Sequence, residues 1–582
     1  MPHFRAHQRK CSDRTRRVVQ TVPGILELLG FAQESSVVVE DSSSNNQYEF
    51  ELAIQDLLHR AHEGHLSLST PAYTAFAFAG PWEFVAISSN GTALPEIYDV
   101  LPSELEGGDW EPSPITQVNG QSAEEYFTNY ARSYAPGLIE PNADWNGVLA
   151  NAVHTDGGAP SSPIRLSVNY SGSDFMNLTF SNNSSASGIW STTTQYNCTS
   201  VETSDDFYDL VIAPQEITTS SGSGKSSLGP TNITETLPEL GLPYPSLVVV
   251  QQGLGYGGFV SGYFLNESSI AVLSITSFLM RGPLAQSFID LQGNGGGTVI
   301  LGVDLFKQLF PAIEPYVGSR MRAHSSWISW EILSNIEIRN NLADYGFIIR
   351  HWWIWVDKIS LVGQTVTILR AKWRFLRQHR ELPLSISFHT LTFSGTLQLQ
   401  RRRHHPPTIR KRHHHVSGYA NESDIAPRYF APQDILLLTG GSCASTYAAF
   451  IEQMRTQASV RTVVVCGLPS IGPMQAVAGT KSALRYDAAA ISSIAAYSLL
   501  LNSSIEFESL PSIFAPPMNI DLSTVAFNFR GQVRVEEQGV PLQMVYELED
   551  CRIWYTSEMV VDYRMLWQMA TNALWEDRSL CV

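Results

Sequence analysis

Three short segments carry residues whose types and spacing could do chemistry. In the stretch from Ile435 to Phe450, an apolar run turns through Gly440, Gly441, Ser442, Cys443 and Ala444 into a helical segment beginning near Ser445. A hydroxyl on such a turn, followed by the free backbone N–H of Thr446, has the geometry a nucleophilic serine needs. The plainer reading of Ser445 is a helix N-cap. In the second segment, the apolar run at Ile289 opens into a glycine-rich turn at Gly293 to Gly297. Glycines let backbone N–H groups converge on a phosphate or an oxyanion, and no Gly-Lys-Ser/Thr follows to support the phosphate. A simple tight turn is the alternative. The third segment holds His62 and His65. Two histidines three apart could hold a metal, but no third ligand is evident. One imidazole acting as general base is the better use, since its ordinary pKa of about 6.5 lies near neutral pH.

The elements that must position these groups belong to a chain of 582 residues, long enough for two or three domains. Its 43% hydrophobic, 16% charged and 10% aromatic residues suit a globular protein with a core. A formal charge of −17 argues against nucleic-acid or anionic-membrane partners, which call for basic surface. Six cysteines are too few for a disulfide scaffold, and their spacings match no zinc pattern, so no cofactor is expected and any pairing stays open. Ten Asn-x-Ser/Thr acceptors, among them Asn177, Asn182, Asn183 and Asn197, lean towards a secreted or secretory-pathway protein. The N-terminus disagrees: Val18 to Ala32 is interrupted by Gln20, Pro23, Glu27 and Gly30 and makes no signal-peptide core. No membrane span is expected, because the best apolar run, Tyr345 to Leu369, carries Arg350, His351, Asp357 and Lys358.

Apolar spacing predicts an irregular N-terminus over 1–49 and a helical segment carrying the two histidines over 50–75. Strand, Asn-Gly turn and helix units suit a PDZ-like peptide-binding module over 76–150, followed by a Ser/Thr/Asn-rich β region over 151–240. Short buried strands alternating with helices over 241–319 and 417–582 predict an α/β domain with its active groups on loops at strand ends. The Arg- and His-rich 320–416 reads as an irregular insert or a gene-model artefact.

Taken together and in order, these blocks resemble the fungal branch of the tail-specific, C-terminal-processing peptidases, serine-peptidase family 41. Ala61 to Leu68, Ile289 to Pro311, Gly418 to Phe450, Gly467 to Gln475 and Pro541 to Thr556 carry the resemblance. It implies a crotonase-like ββα catalytic domain with an N-terminal helical segment and a PDZ-like module. It also implies that Ser445 is the nucleophile, with Thr446 N–H and a glycine of 295–297, Gly296 foremost, as the oxyanion hole. Bacterial members use a Ser/Lys dyad. This chain has Ile471-Gly-Pro-Met474 at the lysine turn, so the histidine base of the chlamydial branch is expected instead, as His65. Glu547 is expected to orient it, with Glu549 next, and Lys481 is an outside candidate for an alternative base. The implied partner is a peptide or protein substrate, as in maturation of a ribosomal precursor of the ustiloxin or phomopsin type. An inactive paralogue that binds peptide is the competing reading, and the oligomeric state is not implied.

Overall fold

The computed structural model describes, with short gaps, residues 47–99, 113–212, 249–250, 260–322, 359–362, 396–399, 430–487 and 525–582. The chain before Gln47 and the basic stretch 401–415 lie outside these residues.

Helix α1, Gln47–His59, forms where Tyr48, Phe50, Ile54, Leu57 and Leu58 recur at helical spacing, and all five are buried. It delivers the chain to a turn at 60–65 and then to β1, Ser67–Leu68, and β2, Phe76–Ala79. Strands β3, Ile115–Val118, and β4, Gln121–Ser122, are joined by Asn119 and Gly120, both at positive φ, as a two-residue hairpin requires. Helix α2, Ala123–Tyr134, buries Phe127, Tyr130 and Ala131, and α3, Pro141–Asn146, brings Trp145 against Phe127. Strands β5, Phe175–Phe180, and β6, Ser185–Ile189, extend the first hairpin into a sheet ordered β6-β5-β3-β4, and β7, Ser191–Thr194, pairs with β2. This sheet crosses the boundary expected at 150, because two of its strands come from the Ser/Thr/Asn-rich region.

Among the described residues the main sheet has seven strands. In chain order the elements are β8, Val249–Val250; β9, Val260–Leu265; β10, Ile270–Ile275; β11, Phe288–Asp290; helix α4, Val299–Leu309; β12, Leu436–Thr439; and helix α5, Thr446–Glu452. They continue with β13, Arg461–Val465; β14, Arg485–Asp487; β15, Val525–Asn528; β16, Cys551–Ile553; and helix α6, Tyr563–Thr571. The sheet order is β8-β9-β10-β11-β12-β13-β16, antiparallel as far as β10 and parallel beyond it. Side chains alternate between two buried faces, as they must in a parallel sheet covered on both sides. Ile289, Leu291 and Leu437 pack with Phe306 of α4 and Phe450 of α5. Leu436, Leu438, Val463 and Ile553 pack on the other face with Leu566 and Trp567 of α6. This is the α/β fold expected. Apart from it, β1, β15 and β14 form a small antiparallel sheet. Of the expected insert, the described strands Gly318–Arg322, Ile359–Val362 and Thr396–Leu399 pair into one sheet with Gly531–Val533.

The C-terminus is fastened in two ways. A disulfide joins Cys551 to Cys581, and the carboxyl of Asp290, fully buried in β11, accepts from Trp567 Nε1 at 2.9 Å. Burial pushes the Asp290 carboxyl above the usual carboxylate range. Among the described residues, no helix is long and apolar enough to cross a membrane. Replacing Trp567 by Phe keeps the ring but leaves Asp290 short of its donor. Chemical denaturation is expected to show a loss of about 1–3 kcal/mol.

Candidate active site

Strand β12 ends at Thr439, whose Oγ1 donates to Ala476 O at 2.7 Å and accepts from Gly441 N. The chain then turns within six residues into α5. A strap at 477–480 clamps that turn: Ala478 N donates to Gly441 O, Gly479 N to Cys443 O, and Ser445 N to Thr480 O at 2.7 Å. Gly479 is needed there, since a Cβ would sit 2.3 Å from Cys443 O. Held this way, half-buried Ser445 has φ 62° and ψ −122°, a conformation that costs a non-glycine residue about 1–3 kcal/mol. Its hydroxyl does not cap α5. The N-cap reading therefore fails, and the geometry is the strained strand-to-helix turn on which hydrolase serines are presented.

The glycine-rich turn lies against this serine. A Cβ on Gly296 would come within 2.7 Å of Ser445 Cβ and 3.1 Å of Thr446 N, and its φ of 108° also demands glycine. Buried Asn294 shapes the turn by donating to Ile275 O and accepting Gly296 N–H at 2.8 Å. That bond engages the N–H expected to serve as an oxyanion donor, so Gly296 supplies the close approach and not the donor. Gly297 fits the donor position better. Its carbonyl accepts from Thr446 Oγ1 at 2.6 Å, and neither its N–H nor that of Thr446 has an acceptor among the described residues.

His65 is 8% exposed. Its backbone N–H donates to Thr480 Oγ1 at 3.2 Å, and that hydroxyl in turn bonds Glu63. Ser445 and His65 are thus tied to one threonine, while no hydrogen bond joins their side chains. Burial is the main reason the imidazole pKa falls to about 4; a bond to the Asn528 side chain opposes the fall, and Arg485 adds to it. His62 points elsewhere, its Nδ1 lying 3.0 Å from Leu138 O, and no cluster of metal-binding side chains occurs among the described residues.

The expected triad acid is not at the histidine. Glu547 pairs with Arg534, which also holds Glu452, and lies 3.7 Å from Lys481 Nζ, behind α5. Two cations hold that carboxylate away from His65, which corrects the expectation. Glu549 accepts from Met474 N at 2.9 Å and does not reach His65 either. Thr480, Asn294 and Asn528 were missed by sequence reasoning. The small-residue run Ala476 to Thr480, following directly on a resembling block, could have pointed to Thr480, whereas nothing local marks Asn528.

Residues 77–199 match the family model described as CPAF-like PDZ domain. The chain is 25% identical over 616 residues to the peptidase S41 family protein phomP1' of Diaporthe leptostromiformis, covering 92% of this chain and 87% of that protein. It is also 25% identical over 383 residues to the peptidase S41 family protein ustP of Aspergillus flavus, covering 56% and 73%. The chain is a relative of the S41 peptidases. By that kinship it is a serine-type peptidase. Against the solved structure of mature CPAF it is 11% identical with a TM-score of 0.47, covering 99% of this chain and 95% of that one.

In this S41 relative the turn at Ile471 to Met474 carries no lysine, and Lys481 does not stand in for one. Its Nζ donates to Gln475 Oε1 and Val545 O on the far side of α5. Buried Arg552 organises the turn, donating to the carbonyls of Cys466, Leu468, Ser470 and Gly472 while stacking over Trp554. Any side chain on Gly296 must push Ser445 or Thr446 out of place. Gly296→Ala is expected to slow labelling by a fluorophosphonate probe about 100-fold in a protein that still melts cooperatively.

Proposed function

We propose that the protein is a serine endopeptidase in which Ser445 attacks the scissile carbonyl and His65 takes its proton. The oxyanion of the tetrahedral intermediate is held by the N–H groups of Thr446 and Gly297, and His65 then protonates the leaving amine. The observation that carries this reading is the strained turn at Ser445, whose hydroxyl stands uncapped at the start of α5 while its backbone N–H bonds the threonine that also holds His65. Hydroxyl and imidazole are not yet bonded, as is common before substrate tightens a site. The PDZ-like region supports peptide as the substrate class, because such modules add an extended peptide to a sheet edge. The narrower role proposed is cutting a ribosomal precursor peptide in a fungal secondary-metabolite pathway, supported by likeness to two fungal peptidases along much of the chain.

Labelling with a fluorophosphonate probe is the direct test. Wild type is expected to label and Ser445→Ala to show no labelling and no peptide hydrolysis while remaining folded. A folded wild type that fails to label refutes the endopeptidase and favours an inactive, peptide-binding paralogue.

Passage through the secretory pathway is proposed on two grounds. A disulfide needs an oxidising compartment, and the acceptor asparagines 90, 177, 182, 183, 197 and 266 are all exposed. Protein from a secreting host is expected to fall in apparent mass on N-glycosidase treatment. An unchanged mass together with a Cys551 thiol that alkylates without prior reduction would count against that route.

A further inference from the structure

We infer that Asn528 is the positioning residue of the site, its side-chain amide orienting the His65 imidazole in the place where a carboxylate was expected. This rests on the endopeptidase reading above. Two observations carry it. In the small sheet Ser67 faces Ala526 and Leu68 faces Val525, so the register continued by two residues sets His65 opposite Asn528. The imidazole and the Asn528 side chain are hydrogen-bonded, and His65 Nδ1 is buried without a partner among the described residues, so the bond falls to Nε2.

That arrangement has a chemical consequence. With Nε2–H donated to the amide oxygen, the lone pair stays on Nδ1, the nitrogen left to receive the Ser445 proton. The proton passes from Ser445 Oγ to His65 Nδ1 as Oγ bonds the carbonyl carbon, and returns from Nδ1 to the amine when the peptide C–N bond breaks. An amide fixes the ring and its tautomer as a carboxylate would, but it brings no charge to stabilise the imidazolium. The charged residues on the elements around the ring are Arg485 and Asp487 on β14, Lys481 after the strap and Glu63 on its own turn. Arg485, opposite Asn528 in the register, opposes protonation. Glu63 is held by Thr480 through one oxygen, and its other oxygen is buried without a partner among the described residues. It is the rival for the orienting role.

The test is the pH profile of fluorophosphonate labelling for wild type, Asn528→Ala, Asn528→Asp and Glu63→Gln, each checked for cooperative melting. Wild type is expected to keep its labelling rate down to pH 5, because the base stays neutral until the pH approaches about 4. Asn528→Ala is expected to label about 100-fold more slowly at every pH, from a ring free to turn. Asn528→Asp is expected to regain most of the rate above neutral pH and to move the acid limb upward, since a carboxylate stabilises the imidazolium. A merely structural asparagine would not shift that limb. A folded Asn528→Ala that labels like wild type overturns the inference, as does an Asn528→Asp profile that superimposes on wild type. A rate loss in Glu63→Gln alone passes the role to Glu63 and also overturns it. Wild type that does not label at all ends the endopeptidase reading and this inference with it.

Discussion

Thr480 is the joint on which the site depends. Its carbonyl accepts the Ser445 N–H and so holds the serine at positive φ, while its hydroxyl bonds the His65 N–H and the Glu63 carboxyl. The two halves of the site are separated by 380 residues of chain, and they meet through this one side chain and its peptide group. Gln543 braces the joint from outside, accepting from Lys481 N and donating to His62 O. A strained serine persists only where its surroundings over-determine it, and here the strap supplies three backbone hydrogen bonds within five residues.

The sheet makes that strap possible. Strands of the main sheet lie in chain order, and α4 and α5 cover one face while α6 covers the other. The buried polar groups are arranged to suit. Asp290 is met by Trp567 and Gln292, and Gln292 accepts from Tyr555. Arg552 donates to four main-chain carbonyls and to the Asn142 side chain, which turns the 466–472 loop into a shaped wall. The planar fork gives every donor a set direction, so the carbonyls it binds are held in a fixed arrangement.

The acidic residues behind α5 show why spacing misleads about charge. Glu547 lies in a resembling block and is acidic, but Arg534, thirteen residues earlier and outside that block, captures it together with Glu452. Lys481 neighbours Thr480 in sequence and still points away, because its long side chain finds Gln475, Val545 and Glu547 across the helix. One residue of backbone advance is enough to turn a side chain from the site to the support behind it.

The sequence by itself determined the elements and the reactive turn. Apolar runs of four to six residues ahead of small-residue turns made Ser445 and the 295–297 glycines legible, because strand, tight turn and helix are local structures that local residues specify. The order of the resembling blocks carried the family. Tertiary structure decided which polar group meets which: that Gly296 N–H goes to Asn294, that Glu547 goes to Arg534, and that Asn528 faces His65. It also decided that strands after residue 150 complete the PDZ-like sheet. The Asn528–His65 pairing is set by strand register between segments hundreds of residues apart, and the other two by how nearby side chains and peptide groups turn in the folded chain. Neither leaves a mark in the spacing of neighbouring residues.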